Sequence, residues 1–211
     1  MKLAIFDFDG TVIDGNSWHL LFRRMLRERP FRAPALLGAL GLRRLRLLAA
    51  RDLQERTLSL WAGRDRKAVA AWGRRFHAEV VEPRVRSAAL AEIDRCRREG
   101  FEIVLLTGAF DFVAQPFAEA HGVRLWRATR LEYSGAAFSG RLAEPALRGE
   151  AKVAALAALL GEVPVDWAAS RAYGDEEGDL PVLRRVGHPY WVCAARTSSR
   201  ARLDGCESVT W

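Results

Sequence analysis

The chain opens with a short apolar run that ends abruptly in acidic residues. Residues 3–6 are all apolar, as is typical of a parallel strand buried on both faces of a sheet. Four later runs share this character and predict strands at residues 101–106, 123–128, 168–173 and 190–194. Strands that alternate with helices predict an α/β fold, in which a Rossmann-like parallel sheet carries helices on both faces.

Between the first two of these strands, from residue 18 to residue 80, apolar positions recur with the period of a helix. The predicted helix starts share a capping side chain or a proline, at Ser17, Pro34, Asp52 and Asp65. A block of this length interrupts the alternation of strands and helices. We therefore predict an all-helical cap at residues 15–84, inserted after the first strand of an α/β core that comprises residues 1–14 and 85–211.

The remainder of the core shows a regular order of elements. Apolar stripes predict helices at residues 85–98, 111–121, 150–160 and 180–186. Residues 131–142 contain two glycines between short alternating segments, which predicts a small hairpin rather than a second domain. The last ten residues show no pattern from which an element is predicted.

Composition narrows the class of protein. Half of the 211 residues are hydrophobic, yet no stretch approaches the ~20 uncharged apolar residues of a membrane span. The first strand begins almost at residue 1, so no signal peptide is expected. Three cysteines, far apart in the chain, indicate a reducing compartment and neither a disulfide framework nor a zinc site. The expected location is the cytoplasm, and peripheral contact with the inner face of the membrane is a second hypothesis.

The positive charge of the chain is concentrated in the predicted cap. The whole chain carries a net charge of +7, whereas residues 14–84 carry 15 arginines and one lysine against seven acidic residues. Residues 36–50 place Arg43, Arg44 and Arg46 among leucines. This pattern is typical of a basic amphipathic helix on an anionic membrane, and equally of a packed helix whose guanidinium groups reach water. Both interpretations stay open.

Two carboxylates follow the first strand. Asp7 and Asp9 occupy positions i and i+2, so both leave the carboxyl edge of the sheet on the same side. Open α/β sheets bind ligands at that edge. Like charges this close need a cation or a shared proton. Gly10 permits a turn with positive φ, and the Thr11 hydroxyl can stabilise that turn.

Residues suited to binding phosphate or metal also follow the second and fourth predicted strands. The polar or small residues at these two strand ends are Thr107, Gly108, Asp175 and Asp179. Lys152, at the start of a predicted helix, can reach the same edge, and a lysine is informative in a chain where 30 of 33 basic residues are arginine. Each residue taken singly has a structural explanation, as a helix cap, an exposed lysine or an acidic turn. Their convergence from distant segments favours one site.

These residues form four motifs that resemble those of the haloacid dehalogenase-like (HAD) phosphatases. The motifs are Asp-Phe-Asp-Gly-Thr at residues 7–11, Leu-Leu-Thr-Gly at 105–108, Lys152, and Gly-Asp through Asp at 174–179. The resemblance spans essentially the whole chain. A helical cap after the first strand is similar to the branch that contains phosphoserine phosphatases. The basic, leucine-rich cap resembles relatives that act on phosphorylated lipid head groups, such as phosphatidylglycerophosphate phosphatase.

The resemblance implies a role for each motif. Asp7 would attack phosphorus to form an aspartyl-phosphate, and Asp9 would act as general acid and then general base. The cofactor would be Mg²⁺, held by the Asp7 carboxylate, the Asp9 backbone carbonyl and Asp175, with Asp179 holding or orienting this shell. The phosphoryl oxygens would be contacted by Thr107, Gly108 and Lys152.

The substrate is less defined by these motifs. Asn16 stands where the phosphoserine branch has an acidic residue for the substrate ammonium, so phosphoserine is disfavoured. The basic cap favours a phospholipid head-group phosphate or a small polyanionic monoester. Phosphoserine or another small metabolite is the alternative for an enzyme. A catalytically silent basic protein that binds membrane or RNA is the alternative of a different class. No nucleic-acid partner is expected for the enzyme, and neither glycine-rich loop that binds nucleotide phosphates is present.

Overall fold

A computed structural model describes residues 1–193 and 206–211 of the chain. Its eight strands are β1 (Lys2–Phe6), β2 (Phe101–Phe110), β3 (Leu125–Thr129), β4 (Leu131–Ser134), β5 (Ala137–Leu142), β6 (Arg171–Gly174), β7 (His188–Cys193) and β8 (Glu207–Thr210). Six of them form one parallel sheet in the order β3–β2–β1–β6–β7–β8, while β4 and β5 form a separate antiparallel hairpin. The chain order reverses at β1, which is where such sheets bind ligands.

The α-helices follow the predicted order. They are α1 (Ser17–Glu28), α2 (Ala33–Arg44), α3 (Ala50–Leu58), α4 (Arg66–Phe76), α5 (Ser87–Arg98), α6 (Asp111–Ala120), α7 (Glu150–Leu160) and α8 (Leu180–Leu183). Four of these lie in the helical insert, by which we mean residues 15–84. The predicted fold class, a Rossmann-like parallel sheet surrounded by helices, is confirmed. Among the residues that the structure describes, no helix combines the length and apolar character needed to cross a bilayer.

Alternation along β1 explains why helices cover both faces of the sheet. Leu3 and Ile5 belong to a buried cluster with α7 and α8, whereas Ala4 and Phe6 belong to a second cluster with α5 and α6. All four side chains are almost fully buried. A strand whose successive residues are apolar can satisfy both layers at once, since consecutive side chains point to opposite faces.

The helical insert contacts the core through α4. Gly73 of α4 approaches α6 so closely that a Cβ there would lie 2.3 Å from the Phe112 carbonyl oxygen. Trp61 and Trp72 pack edge-on against the Phe112 ring. In contrast, α2 packs into a small separate cluster, and this helix with the turns on either side of it exposes several large apolar side chains, namely Phe31, Leu37, Leu42, Leu45 and Leu47. The insert is therefore packed at one end and solvent-exposed at the other.

Several predicted boundaries were wrong. β2 continues past Leu106 to Phe110, with a break in its register against β3. β6 begins at Arg171 rather than residue 168, and α8 is shorter than predicted. The final residues, where no element was predicted, form β8 at the sheet edge. Ala194, the predicted end of the fifth strand, lies outside the described residues.

Two predicted helix caps were also wrong. α1 is capped by Asn16, whose side chain accepts a hydrogen bond from the His19 amide, and Ser17 is engaged elsewhere. α3 starts at Ala50 without a side-chain cap, so that Asp52 lies inside its first turn. A carboxylate in the first turn still interacts favourably with the helix dipole, which accounts for the misassignment. The predicted cap Asp65 does accept from the Lys67 amide at the start of α4.

Candidate active site

A cleft of about 1190 Å³ lies at the carboxyl edge of the sheet, where β1, β2 and β6 end. The amide of the first residue after β1, Asp7, donates to the carbonyl of Tyr173 on β6 at 3.0 Å, so the neighbouring strand fixes its backbone. The cleft brings together six of the predicted site residues as lining groups: Asp7, Asp9, Asn16, Thr107, Gly108 and Asp175. The other two, Lys152 and Asp179, lie buried beside Asp7.

Lys152 links two of the carboxylates. Its Nζ atom donates to Asp7 Oδ1 at 2.6 Å and to Asp179 Oδ1 at 2.5 Å. The three side chains are at most 6% exposed. Lys152 reaches them from the first turn of α7, which is preceded by its N-cap residue Gly149, a glycine with φ of +60°. Three segments, with Asp7 and Lys152 separated by 145 positions, thus meet in one buried ion network.

The buried network contains more carboxylates than its one lysine can neutralise. Burial raises the pKa of Asp7 well above its ordinary value, while the Lys152 ammonium opposes that shift. Burial alone would lower the pKa of Lys152, but attraction to Asp7 and Asp179 outweighs it and raises this pKa. The lysine is therefore held charged, and the carboxylates around it exceed the one charge that it supplies.

Asp175 adds a further carboxylate to the network. Asp7, Asp175 and Asp179 each offer an oxygen within 4.8 Å of the others. Burial, then the charges of Asp179 and Glu176, raise the pKa of Asp175 to about 7. The Thr11 hydroxyl donates to Asp175 Oδ1 at 3.4 Å, which is a weak contact that favours the ionised form.

Asp179 is fully engaged within the protein. Its Oδ1 accepts from Lys152, and its Oδ2 accepts from the backbone amides of Asp175 and Glu176, both at 3.2 Å. These bonds fix the loop after β6 and leave Asp179 few lone pairs for a metal. The geometry thus gives Asp179 an orienting position, while Asp7 and Asp175 face the cleft.

Asp9 is held apart from the other carboxylates by Ser17. The Ser17 amide donates to Asp9 Oδ1 at 2.8 Å, and the Ser17 hydroxyl donates to Oδ2 at 3.0 Å. Burial raises the pKa of Asp9 to about 6, even though both bonds from Ser17 lower it. A carboxyl group that titrates near neutrality suits proton transfer.

A backbone turn brings Asp9 and Asp175 to the same part of the cleft. Gly10 has φ of +77°, as predicted for this turn. A Cβ at Gly10 would lie 2.0 Å from Asp175 Oδ2, so only glycine allows the carboxylate to approach the turn. Glycine is therefore favoured at this position for two reasons, the positive φ and the lack of room for a side chain.

Two of the predicted phosphate-contacting residues, Thr107 and Gly108, lie on the extension of β2. The Thr107 hydroxyl accepts from the Ala109 amide at 3.0 Å, and the Gly108 carbonyl accepts from the Thr129 hydroxyl at 2.9 Å. Thr107 is fully buried and Gly108 is half-buried at the cleft wall. These bonds hold the strand irregularity in place beside Asp7.

Two residues of the site were missed from the sequence. Ser17 was interpreted as a helix cap, although the adjacent Asn16 had the same capping potential and left Ser17 free to bind Asp9. Arg148 lines the cleft and pairs with Glu176 at 3.5 Å. Its position four residues before Lys152 was the only signal, and it is weak where arginine is so abundant.

Comparison with known proteins agrees with this geometry. A family model described as haloacid dehalogenase-like hydrolase matches residues 4–184. The chain belongs to this family. It is 25% identical to the histidinol-phosphatase of Neisseria meningitidis serogroup C (strain 8013) over 206 residues, covering 90% of each chain. The predicted membership of the HAD phosphatases, and the enzyme class of hydrolase, are confirmed.

Solved structures share the fold of this HAD hydrolase. A protein of unknown function from Bordetella pertussis Tohama I has a TM-score of 0.75 at 26% identity, covering 90% of this chain and 89% of that one. A substrate-bound phosphoserine phosphatase has a TM-score of 0.66 at 19% identity, covering 98% of this chain and 92% of that one. At the latter identity the likeness concerns the fold alone.

The donor set of this HAD hydrolase fits a hard divalent cation. Asp7 and Asp175 present carboxylate oxygens to the cleft, and Mg²⁺ prefers one or two carboxylates together with water and phosphate oxygens. The absence of a Cβ at Gly10 keeps the approach to Asp175 open. A divalent cation would also neutralise the excess negative charge around Lys152. The carboxylate of Asp9 is bound to Ser17, which leaves the Asp9 backbone carbonyl as its candidate ligand.

Proposed function

We propose that this HAD hydrolase is a Mg²⁺-dependent phosphomonoesterase that acts through an aspartyl-phosphate on Asp7. The observation that carries the proposal is the cluster of Asp7, Asp175 and Asp179, whose oxygens lie within 4.8 Å of one another, with Lys152 paired to the buried Asp7 and Asp179. Because desolvation of several carboxylates costs free energy of folding, a catalytic role explains this cluster better than a contribution to stability does. Family membership favours an enzyme over a catalytically silent binding protein.

The first half of the reaction transfers the phosphoryl group. An Asp7 carboxylate oxygen attacks phosphorus, and the bond from phosphorus to the substrate oxygen breaks. Asp9, protonated, gives its proton to that leaving oxygen, so that an alcohol departs. Its pKa of about 6 makes the acid form available near neutral pH. Ser17 holds the Asp9 carboxyl in place throughout.

The second half releases phosphate. Asp9, now ionised, takes a proton from water as the water oxygen attacks phosphorus. The bond between phosphorus and Asp7 breaks, which restores the carboxylate and frees inorganic phosphate. Lys152 keeps Asp7 Oδ1 fixed by its hydrogen bond, and Thr107 and Gly108 flank the position of the phosphoryl group.

Charge stabilisation completes the mechanism. Mg²⁺, when bound by Asp7, Asp175 and the Asp9 carbonyl, would offset the repulsion between the carboxylate nucleophile and the anionic phosphate. Lys152 contributes a fixed positive charge from the buried side of Asp7. Asp179 orients Lys152 and the loop after β6.

The substrate is proposed to be a small phosphomonoester. The relatives named above act on such compounds, as their names state for histidinol phosphate and phosphoserine. Asn16 lines the cleft and caps α1 with its side-chain oxygen, so the position supplies no negative charge for an ammonium group. Residues 15–84 would form the cap that closes over the substrate. A lipid substrate and peripheral membrane contact stay predictions, which binding to anionic vesicles would test.

Hydrolysis of p-nitrophenyl phosphate tests the proposal. We expect turnover with Mg²⁺, loss of turnover with EDTA, and recovery when Mg²⁺ is restored. Asp7→Asn should abolish both turnover and the trapping of a hydroxylamine-sensitive phosphoenzyme. Asp94→Asn, which changes an exposed acid on α5, is the matched control and should behave like the unmodified protein. Metal-independent turnover, or labelling of Asp7→Asn at the normal level, would refute the mechanism.

A further inference from the structure

A second cavity, of about 760 Å³, lies between the helical insert and the core. It shares lining residues with the catalytic cleft, namely Asp9, Asn16, His19, Gly108 and Arg148. We call it the cap cavity. Since Asp9 borders both spaces, a leaving group that receives its proton from Asp9 extends into the cap cavity.

The wall of the cap cavity has two kinds of surface. One is apolar and is formed by α1, α2 and the end of β2, with Trp18, Phe22, Leu40 and Phe110 among its lining residues. Trp18 packs edge-on against the Phe110 ring at 6.0 Å, so this wall is a packed aromatic surface. The other surface is cationic, with Arg23, Arg43, Arg44, Arg51 and Arg148.

The arginines differ in what they bind. Arg51 is paired with Glu55 at 3.0 Å, and Arg148 is paired with Glu176. Within residues 1–193 and 206–211, Arg23, Arg43 and Arg44 have no carboxylate within the 4.0 Å that defines an ion pair. Their neighbour Arg24, which points away from the cavity, is paired with both Glu28 and Glu79.

The cap cavity is accordingly a site of uncompensated positive charge. Of its lining residues in the described part of the chain, Asp9 alone is acidic, and both of its oxygens are bound by Ser17. An ammonium-bearing leaving group would be repelled by the arginines there, whereas an anionic one would be attracted. Several unpaired arginines beside an aromatic wall favour a ligand with both an apolar and an anionic part.

We infer that the cap cavity is a leaving-group subsite for phosphomonoesters whose alcohol carries an additional anionic group beside an apolar one. Arg43 and Arg44 at the end of α2 bind the second anion, and Trp18 and Phe110 contact the apolar part. The inference rests on the proposed phosphatase function. It separates this chain from relatives whose named substrates carry an ammonium group.

Three aryl phosphates of matched shape test the inference. They are 4-carboxyphenyl, 4-carbamoylphenyl and 4-(aminomethyl)phenyl phosphate, with anionic, neutral and cationic para substituents. We expect kcat/KM to fall in that order, with the carboxyl compound preferred to the carbamoyl compound by roughly five- to tenfold, as two exposed charge pairs allow. The double variant Arg43→Gln/Arg44→Gln should bring this ratio close to one, mainly because kcat/KM for the carboxyl compound falls.

Arg56→Gln is the matched control, since Arg56 is exposed on α3 and does not line the cap cavity. It should leave the substrate order intact. A preference for the ammonium compound, or the same ratio in the unmodified protein and the double variant, would overturn the inference. Thermal melting confirms that each variant is folded.

Binding separates failure of the subsite from failure of the proposed function. Calorimetry with 4-carboxybenzylphosphonate and 4-carbamoylbenzylphosphonate, which are not hydrolysed, reports the same discrimination without turnover. Tighter binding of the carboxyl compound that is lost in the double variant supports the subsite even if no aryl phosphate is hydrolysed. Equal binding of the two compounds overturns it.

A second assay compares a lipid with a soluble source of the anion. A phospholipid with an additional head-group phosphate is tested in vesicles, and its turnover is compared between the unmodified protein and the Arg43/Arg44 double variant. Dependence on these two arginines with either the lipid or the soluble substrate supports the subsite.

Discussion

The edge of the sheet and the exposed end of the helical insert place their charges in opposite ways. At the sheet edge, Asp7, Lys152 and Asp179 are buried and bonded to one another at 2.5–2.6 Å. In the insert, Arg43 and Arg44 are exposed and lack acidic partners in the described part of the chain. The buried ions suit a catalytic site, because replacing any one of them destabilises the folded state. The exposed arginines suit ligand selection, because their replacement changes binding at little cost to the stability of the fold.

Lys152→Met should give the largest effect in either region. It leaves Asp7 and Asp179 buried without their cation, which we expect to lower stability by about 3–5 kcal/mol and turnover by about 10³-fold. Urea denaturation and initial rates measure the two losses. Arg44→Gln is the control for the exposed region and should leave the denaturation midpoint unchanged. A Lys152→Met protein as stable as the unmodified one would show that the buried network carries no structural load.

Asp9→Asn should have the next largest effect, because it removes the general acid. Without a general acid, turnover of an alkyl phosphate should fall by about 10²-fold or more, and that of p-nitrophenyl phosphate by less, since nitrophenolate leaves without a proton. Ser17→Ala removes a hydrogen bond that lowers the pKa of Asp9, so this pKa rises further. The alkaline limb of the kcat/KM profile, where Asp9 loses the proton that it donates, should move to higher pH. An equal loss of kcat/KM on both substrates would contradict the general-acid role.

The contrast between the two regions also explains what the sequence could predict. The succession of strands along the chain and the convergence of Asp7, Thr107, Lys152 and Asp175 follow from buried apolar runs that end in polar residues, a local pattern. Four short motifs sufficed because each one sits at a strand end or helix start that the fold fixes in space. The fold class was predictable for the same reason.

Other features depend on contacts that no local pattern encodes. Ser17 binds Asp9 only because Asn16 takes over the helix cap, and two equivalent capping residues in succession cannot be told apart by sequence. β8 forms because the sheet edge offers β7 as a partner, although its own residues show no strand pattern. The cap cavity depends on how α2 sits over β2, which is a tertiary property.

Asp175→Asn should stabilise the metal-free protein, in contrast to the effect of Lys152→Met. The folded state raises the pKa of Asp175 from 3.8 to about 7, so folding favours the protonated carboxyl. That stability is fully present below pH 3.8 and is lost as the pH rises through about 7. In EDTA, Asp175→Asn should therefore melt at the same temperature as the unmodified protein near pH 4 and at a higher temperature near pH 8.

Added Mg²⁺ sharpens this comparison. The unmodified protein should gain melting temperature at pH 8 when Mg²⁺ binds the folded state, whereas Asp175→Asn should gain little because a ligand is lost. Asp166→Asn, a change of acid outside the cleft, should follow the unmodified protein in both conditions. A difference between Asp175→Asn and the unmodified protein that does not depend on pH would contradict the titration argument.

The smallest expected effect concerns the exposed end of the insert. Leu45 and Leu47 are 69% and 72% exposed, and Arg44 and Arg46 lie beside them. Apolar side chains next to arginines fit the interface of an anionic bilayer, where each basic residue contributes about 1 kcal/mol at low salt. Vesicles containing phosphatidylglycerol should therefore retain the protein at low salt and release it at high salt.

Variants of that surface decide between a membrane contact and a solvated face. Leu45→Ser/Leu47→Ser should reduce retention several-fold while turnover of p-nitrophenyl phosphate stays unchanged, because neither leucine lines the cleft or the cap cavity. Val163→Ser, at an exposed apolar residue outside the insert, is the control. No retention on anionic vesicles, or retention unaffected by the leucine changes, would show that this surface makes no membrane contact. The charge of the insert would then act through the cap cavity, and a soluble anion would be the favoured source of the substrate.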